Sequence, residues 1–142
     1  MDQNVELLNY IHQNSQMGKD TISQLILINK EEKYKKMLQS QFDEYKNIFD
    51  LADNKLKQCN KKAKDINILA EVSTYIMINL KTLTNKTPSH ISEMLIQGST
   101  MGIVDITKKI KEYPNAEKEI LDLARKLLEF EQNNIEECKK YL

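Results

Sequence analysis

Tryptophan is absent from this 142-residue chain, arginine occurs once, and glycine, proline and cysteine number only three, two and two. Each scarcity removes a class of protein. So few glycines and prolines leave little material for turns, which excludes a fold of many hairpins and points to long, uninterrupted helices. The two cysteines, Cys59 and Cys138, lie far apart and form no CxxC pair. A disulfide framework is therefore excluded, and two reduced thiols are expected. Arg125 is the only arginine, so 20 of the 21 basic residues are lysines. The side chain best suited to bidentate phosphate or carboxylate recognition is nearly missing, which argues against phosphate chemistry. An excess of charge is lacking too, since 21 basic residues face 21 acidic ones. A chain so balanced has no broad electrostatic claim on nucleic acid or on an anionic membrane. No run approaches the roughly 18 apolar residues of a membrane span. The start, Met1-Asp2-Gln3-Asn4-Val5-Glu6, carries no basic region followed by an apolar stretch. A cytoplasmic location without a membrane partner is the expectation. The Lys, Ile and Asn bias points to an AT-rich bacterial genome.

What is present is a repeat. Gln13, Ser15, Met17, Gly18, Ile22 and Ile26 recur 84 positions later as Gln97, Ser99, Met101, Gly102, Ile106 and Ile110. A duplicated helix implies a duplicated αα hairpin, and two hairpins packed face to face make a four-helix bundle. Apolar residues recurring at helical spacing extend this reading along one domain, residues 1–142, with no strand. The first hairpin, about 4–60, has Leu7, Ile11, Asn14, Gly18, Thr21, Ile22 and Leu25 facing inward from its first helix. Its second helix contributes Tyr34, Leu38, Gln41, Phe42, Tyr45, Ile48, Phe49, Ala52 and Leu56. A crossover helix, about 65–83, is capped by Asp65 and is apolar nearly all round in its second half, so cover on several sides is expected. Thr87 as N-cap with Pro88 at the first helical position opens the second hairpin, about 88–142, which turns at Pro114-Asn115. Ile91, Leu95, Gly98, Gly102, Asp105 and Ile106 face inward from its first helix. Ile120, Ala124, Leu127, Leu128, Glu131, Asn134, Ile135 and Cys138 do so from its second.

Two features of these stripes bear on function. Glycine inside a helix costs about 1 kcal/mol relative to alanine, so Gly18, Gly98 and Gly102 imply close packing against a neighbouring helix or a bulky side chain such as Tyr45. Polar residues on apolar stripes, namely Asn14, Thr21, Gln41, Tyr45, Asp105, Glu131 and Asn134, imply an interior polar cluster, because buried polar groups must be paired. A dinuclear iron bundle uses Glu from two helices and Glu-x-x-His from the other two. Here the last helix offers Glu131-x-x-Asn134, the second helix offers Tyr45-x-x-Ile48 at the corresponding place, and the remaining helices offer Asn14 and Gly98. One strong ligand stands where six are needed. The expectation is a structural cluster in which Glu131 hydrogen-bonds to Tyr45, Gln41 or Asn14, with no cofactor. His12 and His90 fall off the stripes and read as solvated. Tyr10, Tyr34, Tyr45 and Tyr75 read as core or rim residues with hydroxyls at the surface. No Ser/His/Asp or Cys/His set and no phosphate-cradling loop is present.

The run Ile78-Asn79-Leu80-Lys81-Thr82-Leu83-Thr84, followed by Ser89-His90-Ile91-Ser92-Glu93-Met94-Leu95-Ile96-Gln97-Gly98-Ser99, resembles the central segment of small, uncharacterised bacterial ferritin-like four-helix-bundle proteins. Those tend to read Leu-Lys, then Leu-Thr-Gly, then a helix with acidic residues flanking a central glycine. The resemblance implies a ferritin-like fold and often a dimer. Where that pattern is acidic, this chain has Gln97, Ser99 and Thr100, and no histidine follows Glu131. Three readings result. The first is a non-catalytic scaffold or interaction module that self-associates, most simply as a homodimer. The second is a ferritin-type oxidoreductase or storage protein binding iron or manganese through Glu131, Asp105 and Glu44 or Glu93, with partners from a second subunit. The third is a binder of a small apolar molecule in the glycine-lined interior.

Overall fold

The computed structural model describes residues 2–61 and 70–142. Among them are five helices and no strand: α1 Gln3–Ile28, α2 Glu32–Gln58, α3 Ala70–Lys81, α4 Pro88–Glu112 and α5 Lys118–Lys139. The proposed Asp65 cap and the start of the crossover helix fall outside the described residues. The chemistry of the ends follows the residues present. Asp2 caps α1 by accepting from the Val5 N–H, and Thr87 caps α4 by accepting from the His90 N–H, with Pro88 where its missing N–H is harmless. The Glu117 side chain makes no cap for α5. The Glu117 N–H instead donates to Asn4 Oδ1 at 2.7 Å, and the neighbouring Asn115 N–H donates to Gln3 Oε1 at 2.9 Å.

Those bonds give the helix directions. The start of α1 lies beside the α4–α5 turn, at the end of the molecule where Lys55, late in α2, pairs with Glu119, early in α5, at 2.9 Å. At the other end the Tyr34 hydroxyl, early in α2, lies 2.8 Å from Ser92 Oγ, early in α4, and the Tyr34 ring meets the edge of Tyr141 beyond α5. Helices α1 and α5 therefore run one way and α2 and α4 the other. The chain between α2 and α4 must travel back along the molecule. Within each hairpin the two helices pack along their lengths, α1 with α2 and α4 with α5, and α1 also touches both α4 and α5.

The four long helices share one core in which Leu7, Ile11, Ile22, Leu25, Tyr34, Leu38, Ile48, Ile91, Ile106 and Leu127 are buried. Burying side chains of this size contributes roughly 1.5–3 kcal/mol each. Two expectations about coverage need correction. The segment Leu7–Ser15 of α1 is buried on every side, not along one stripe. Conversely α3, expected to be covered on several sides, leaves Met77 and Ile78 half-exposed and buries Ile76. No helix among the described residues is long and apolar enough to cross a membrane.

Both thiols are free, Cys59 exposed and Cys138 buried, and burial pushes the Cys138 thiol up. The thiolate is the nucleophile, so a reagent such as DTNB is expected to label one thiol in the native protein and the second only after unfolding. Two rapid equivalents from folded protein would contradict this.

Candidate functional site

Asn14, Gly18 and Thr21 of α1, Gln41 and Tyr45 of α2, Gly98, Ser99 and Gly102 of α4, and Glu131 of α5 all border one cavity of about 40 Å³. Met17, Ile22, Leu95 and Ile76 supply its apolar wall. Each glycine has a distinct neighbour. A Cβ on Gly18 would stand 2.5 Å from Tyr45 Cζ, one on Gly102 would stand 3.0 Å from Glu131 Cδ, and one on Gly98 would stand 3.1 Å from Ile76 Cδ1. Tyr45 thus lies against α1, while the Gly98-x-x-x-Gly102 face takes Ile76 of α3 and the Glu131 carboxyl. In each hairpin the second helix fills the notch left by the repeated glycine of the first.

Glu131 is 2% exposed. Removal from water disfavours its charged form, and the negative charge of Asp105 works in the same direction, so its pKa is raised to about 8. Asn14 is close enough to oppose that rise, but Asn14 Nδ2 and Glu131 Oε2 both lack a partner of hydrogen-bond geometry. The Tyr45 hydroxyl is pushed well above its ordinary value by burial and by Glu131, against the pull of Asn134 and Ser99. Tyr10 is raised by burial and by Asp105. Asp105 itself stands half-buried at the margin and reaches the cluster through its charge.

Several pairings differ from those expected. Gln41 does not serve Glu131, because its Nε2 donates to Met37 Sδ at 3.0 Å and to Cys138 Sγ at 3.7 Å. Three of the four tyrosine hydroxyls expected at the surface turn inward, Tyr34 meeting Ser92, Tyr45 bordering the cavity and Tyr10 buried without a partner, while that of Tyr75 stays at the surface and donates to Gln97 Oε1 at 2.8 Å. His12 is not solvated. It is buried, stacked 4.3 Å from the Phe49 ring, with Nε2 3.4 Å from Asp53 Oδ1. Burial lowers its pKa and Asp53 acts against the shift. Val5, Leu8, His12 and Ser15 form a second helical stripe that the sequence displays at three- and four-residue spacing. His90 remains at the start of α4, its backbone N–H on the Thr87 cap.

A dinuclear metal centre does not fit this donor set. Among the described residues no group of three or more His, Cys, Asp and Glu is placed to hold an ion. Among the described residues Glu131 is the only carboxyl on the cavity wall, and a pair of divalent ions needs several to offset its charge. Glu44 lies outside it, 3.7 Å from Lys126. No protein-family model, curated protein or solved structure matches the chain.

Proposed function

We propose that the chain is a ferritin-like four-helix bundle of two pseudo-symmetric hairpins that acts without a metal centre, as a non-catalytic structural or interaction module that self-associates. The observation that carries this reading is the donor set at mid-bundle: one neutralised carboxyl, Glu131, shares the wall with Asn14, Tyr45 and three glycines where metal ligands would have to stand. The matched glycine notches of α1 and α4, and the opposed pairs of helix directions joined by a long crossover, support the ferritin-like layout. Self-association is supported by outward-facing apolar side chains, Leu27 at 84% exposure and Met77, Ile78 and Val104 at about half.

Elemental analysis of protein produced with iron and manganese supplied is expected to find neither in stoichiometric amount. Light scattering is expected to give about twice the chain mass of 16.6 kDa, reverting to one chain mass in a Leu27→Lys, Ile78→Lys double variant. Stoichiometric metal that disappears in Glu131→Ala would overturn the metal-free reading. A wild-type monomer at micromolar concentration would overturn self-association.

A further inference from the structure

The cavity between the glycine-bearing helices has a polar floor, an apolar side and one ionisable acid on its wall. We propose that it binds a small primary ammonium cation, with the nitrogen on the Glu131 carboxylate and a short alkyl chain along Met17, Ile22 and Leu95. Size, charge and bonding capacity point the same way. A water needs on the order of 10–15 Å³, so about 40 Å³ holds only a few heavy atoms. Among the described residues no lysine, arginine or histidine lies on the wall. The ionisable groups facing Glu131 are Tyr10 from α1, Tyr45 from α2 and Asp105 from α4, with Cys138 further along α5 acting on Tyr45. None of these groups is cationic, so among the described residues an incoming cation meets no like charge on the wall.

Glu131 Oε2 lies against Gly102, buried without a partner, and rotation of the carboxyl toward the cavity that Glu131 borders lets an ammonium N–H supply the donor it lacks. Three further acceptors are at hand. Gln41 borders the cavity and spends its Nε2 on Met37 and Cys138, so the group it can offer a ligand is its carbonyl oxygen. The Tyr45 and Ser99 hydroxyls border the same space.

Binding requires a proton balance. The Glu131 carboxylic acid loses its O–H proton to the buffer, and the resulting carboxylate accepts an N–H from the incoming cation, so one proton leaves for each ligand bound. Because the acid titrates at about 8 in the folded chain, apparent affinity should rise about tenfold per pH unit below that value and level off above it.

The test is titration of methylammonium chloride into the full chain, read by amide chemical shifts and by calorimetry in two buffers of different ionisation heat. Saturable one-to-one binding in roughly the millimolar range is expected for so few heavy atoms. Release of close to one proton per ligand at pH 6.5 should accompany it, with dissociation constants about tenfold lower at pH 7 than at pH 6. Glu131→Gln should weaken binding at pH 8 by about tenfold or more, while Glu129→Gln, on the exposed side of α5, leaves it unchanged. The wild-type proton count and pH profile stand even if a variant folds poorly. Absence of saturable shifts, the same affinity at pH 6 and 8, or equal binding of acetamide or tetramethylammonium would each overturn the proposal. It does not rest on self-association, so the chain mass neither supports nor sinks it.

Discussion

Gly18→Leu should be the most damaging of the glycine substitutions, with a loss of about 3 kcal/mol or more, and Gly18→Ala should lose about 1–3 kcal/mol. The reason is the rigidity of what the new side chain meets. At Gly18 it meets the Tyr45 ring, which is itself buried and held edge-on by Phe130 at 4.7 Å between centroids. A rigid ring 7% exposed has fewer ways to yield than the flexible end of a carboxyl side chain. The gain of about 1 kcal/mol in helix propensity from glycine to alanine does not offset such a clash. At Gly102 the obstacle is the end of the Glu131 side chain, which borders the cavity and can rotate into it. Gly102→Ala is therefore milder, although Gly102→Leu still overpacks. At Gly98 the contact is a terminal methyl of Ile76 at 3.1 Å, and alanine there is expected to be neutral or slightly stabilising. Urea unfolding of the three alanine variants checks the order Gly18, Gly102, Gly98, from most to least damaging. If Gly98→Ala proved the worst of the three, the proposed packing of α1 on Tyr45 would fall.

Stability should decline by about 2 kcal/mol between pH 6.5 and 8, and Glu131→Gln should abolish the decline. Glu131 titrates at 4.5 when unfolded and at about 8 when folded. The folded state thus keeps a proton that the unfolded state releases, and its contribution is full below pH 4.5 and lost as pH rises to about 8. His12 acts in the opposite sense. Its folded pKa is lowered from 6.5 by burial, so the unfolded chain takes up a proton that the folded chain refuses as pH falls below 6.5. The two slopes are equal and opposite from 6.5 down to the folded value of His12, where they cancel. Above 6.5 only Glu131 changes. Lowered carboxyls such as Asp53 and Asp122 act below this window. Glu131→Gln, which keeps the shape of the neutral acid, should leave a profile that is flat from pH 6.5 to 8 and falls only on acidification. It should be more stable than wild type at pH 8. A wild-type curve level across the window, or the same curve in the variant, would refute the burial of a neutral acid.

Much of the helical layout could be read from local chemistry. Thr87-Pro88 announces the start of α4 because both the cap and the tolerated proline act within one turn. Gly18, Gly98 and Gly102 announce close approaches because a helix tolerates glycine only where something is gained. The identity of the approaching group was another matter. Tyr45 settles on Gly18 and Glu131 on Gly102 according to how helices slide past one another, a register that apolar periodicity does not encode. Asn14, Gln41, Tyr45 and Glu131 could be gathered into one cluster from their places on the stripes. That Gln41 turns to two sulfurs, leaving Glu131 Oε2 unserved, depends on distances between helices. His12 was misplaced for a different reason. A helix read as amphipathic is given one inner face, whereas Leu7–Ser15 is enclosed all round, and its second stripe becomes visible only when enclosure is known. The exposed Met77 and Ile78 are the converse case: apolar composition reads as a demand for cover that α3 does not receive among the described residues.

The missing side-chain cap on α5 carries a consequence for any attempt to cut the molecule between its two hairpins. Its first turn is closed by Asn4, a residue more than a hundred positions upstream, and the preceding turn leans on Gln3. A fragment holding only the second hairpin would begin its last helix with a frayed end, and one holding only the first would present two amide side chains with nothing to hold. However the two halves arose, neither is now a module that could be transplanted alone.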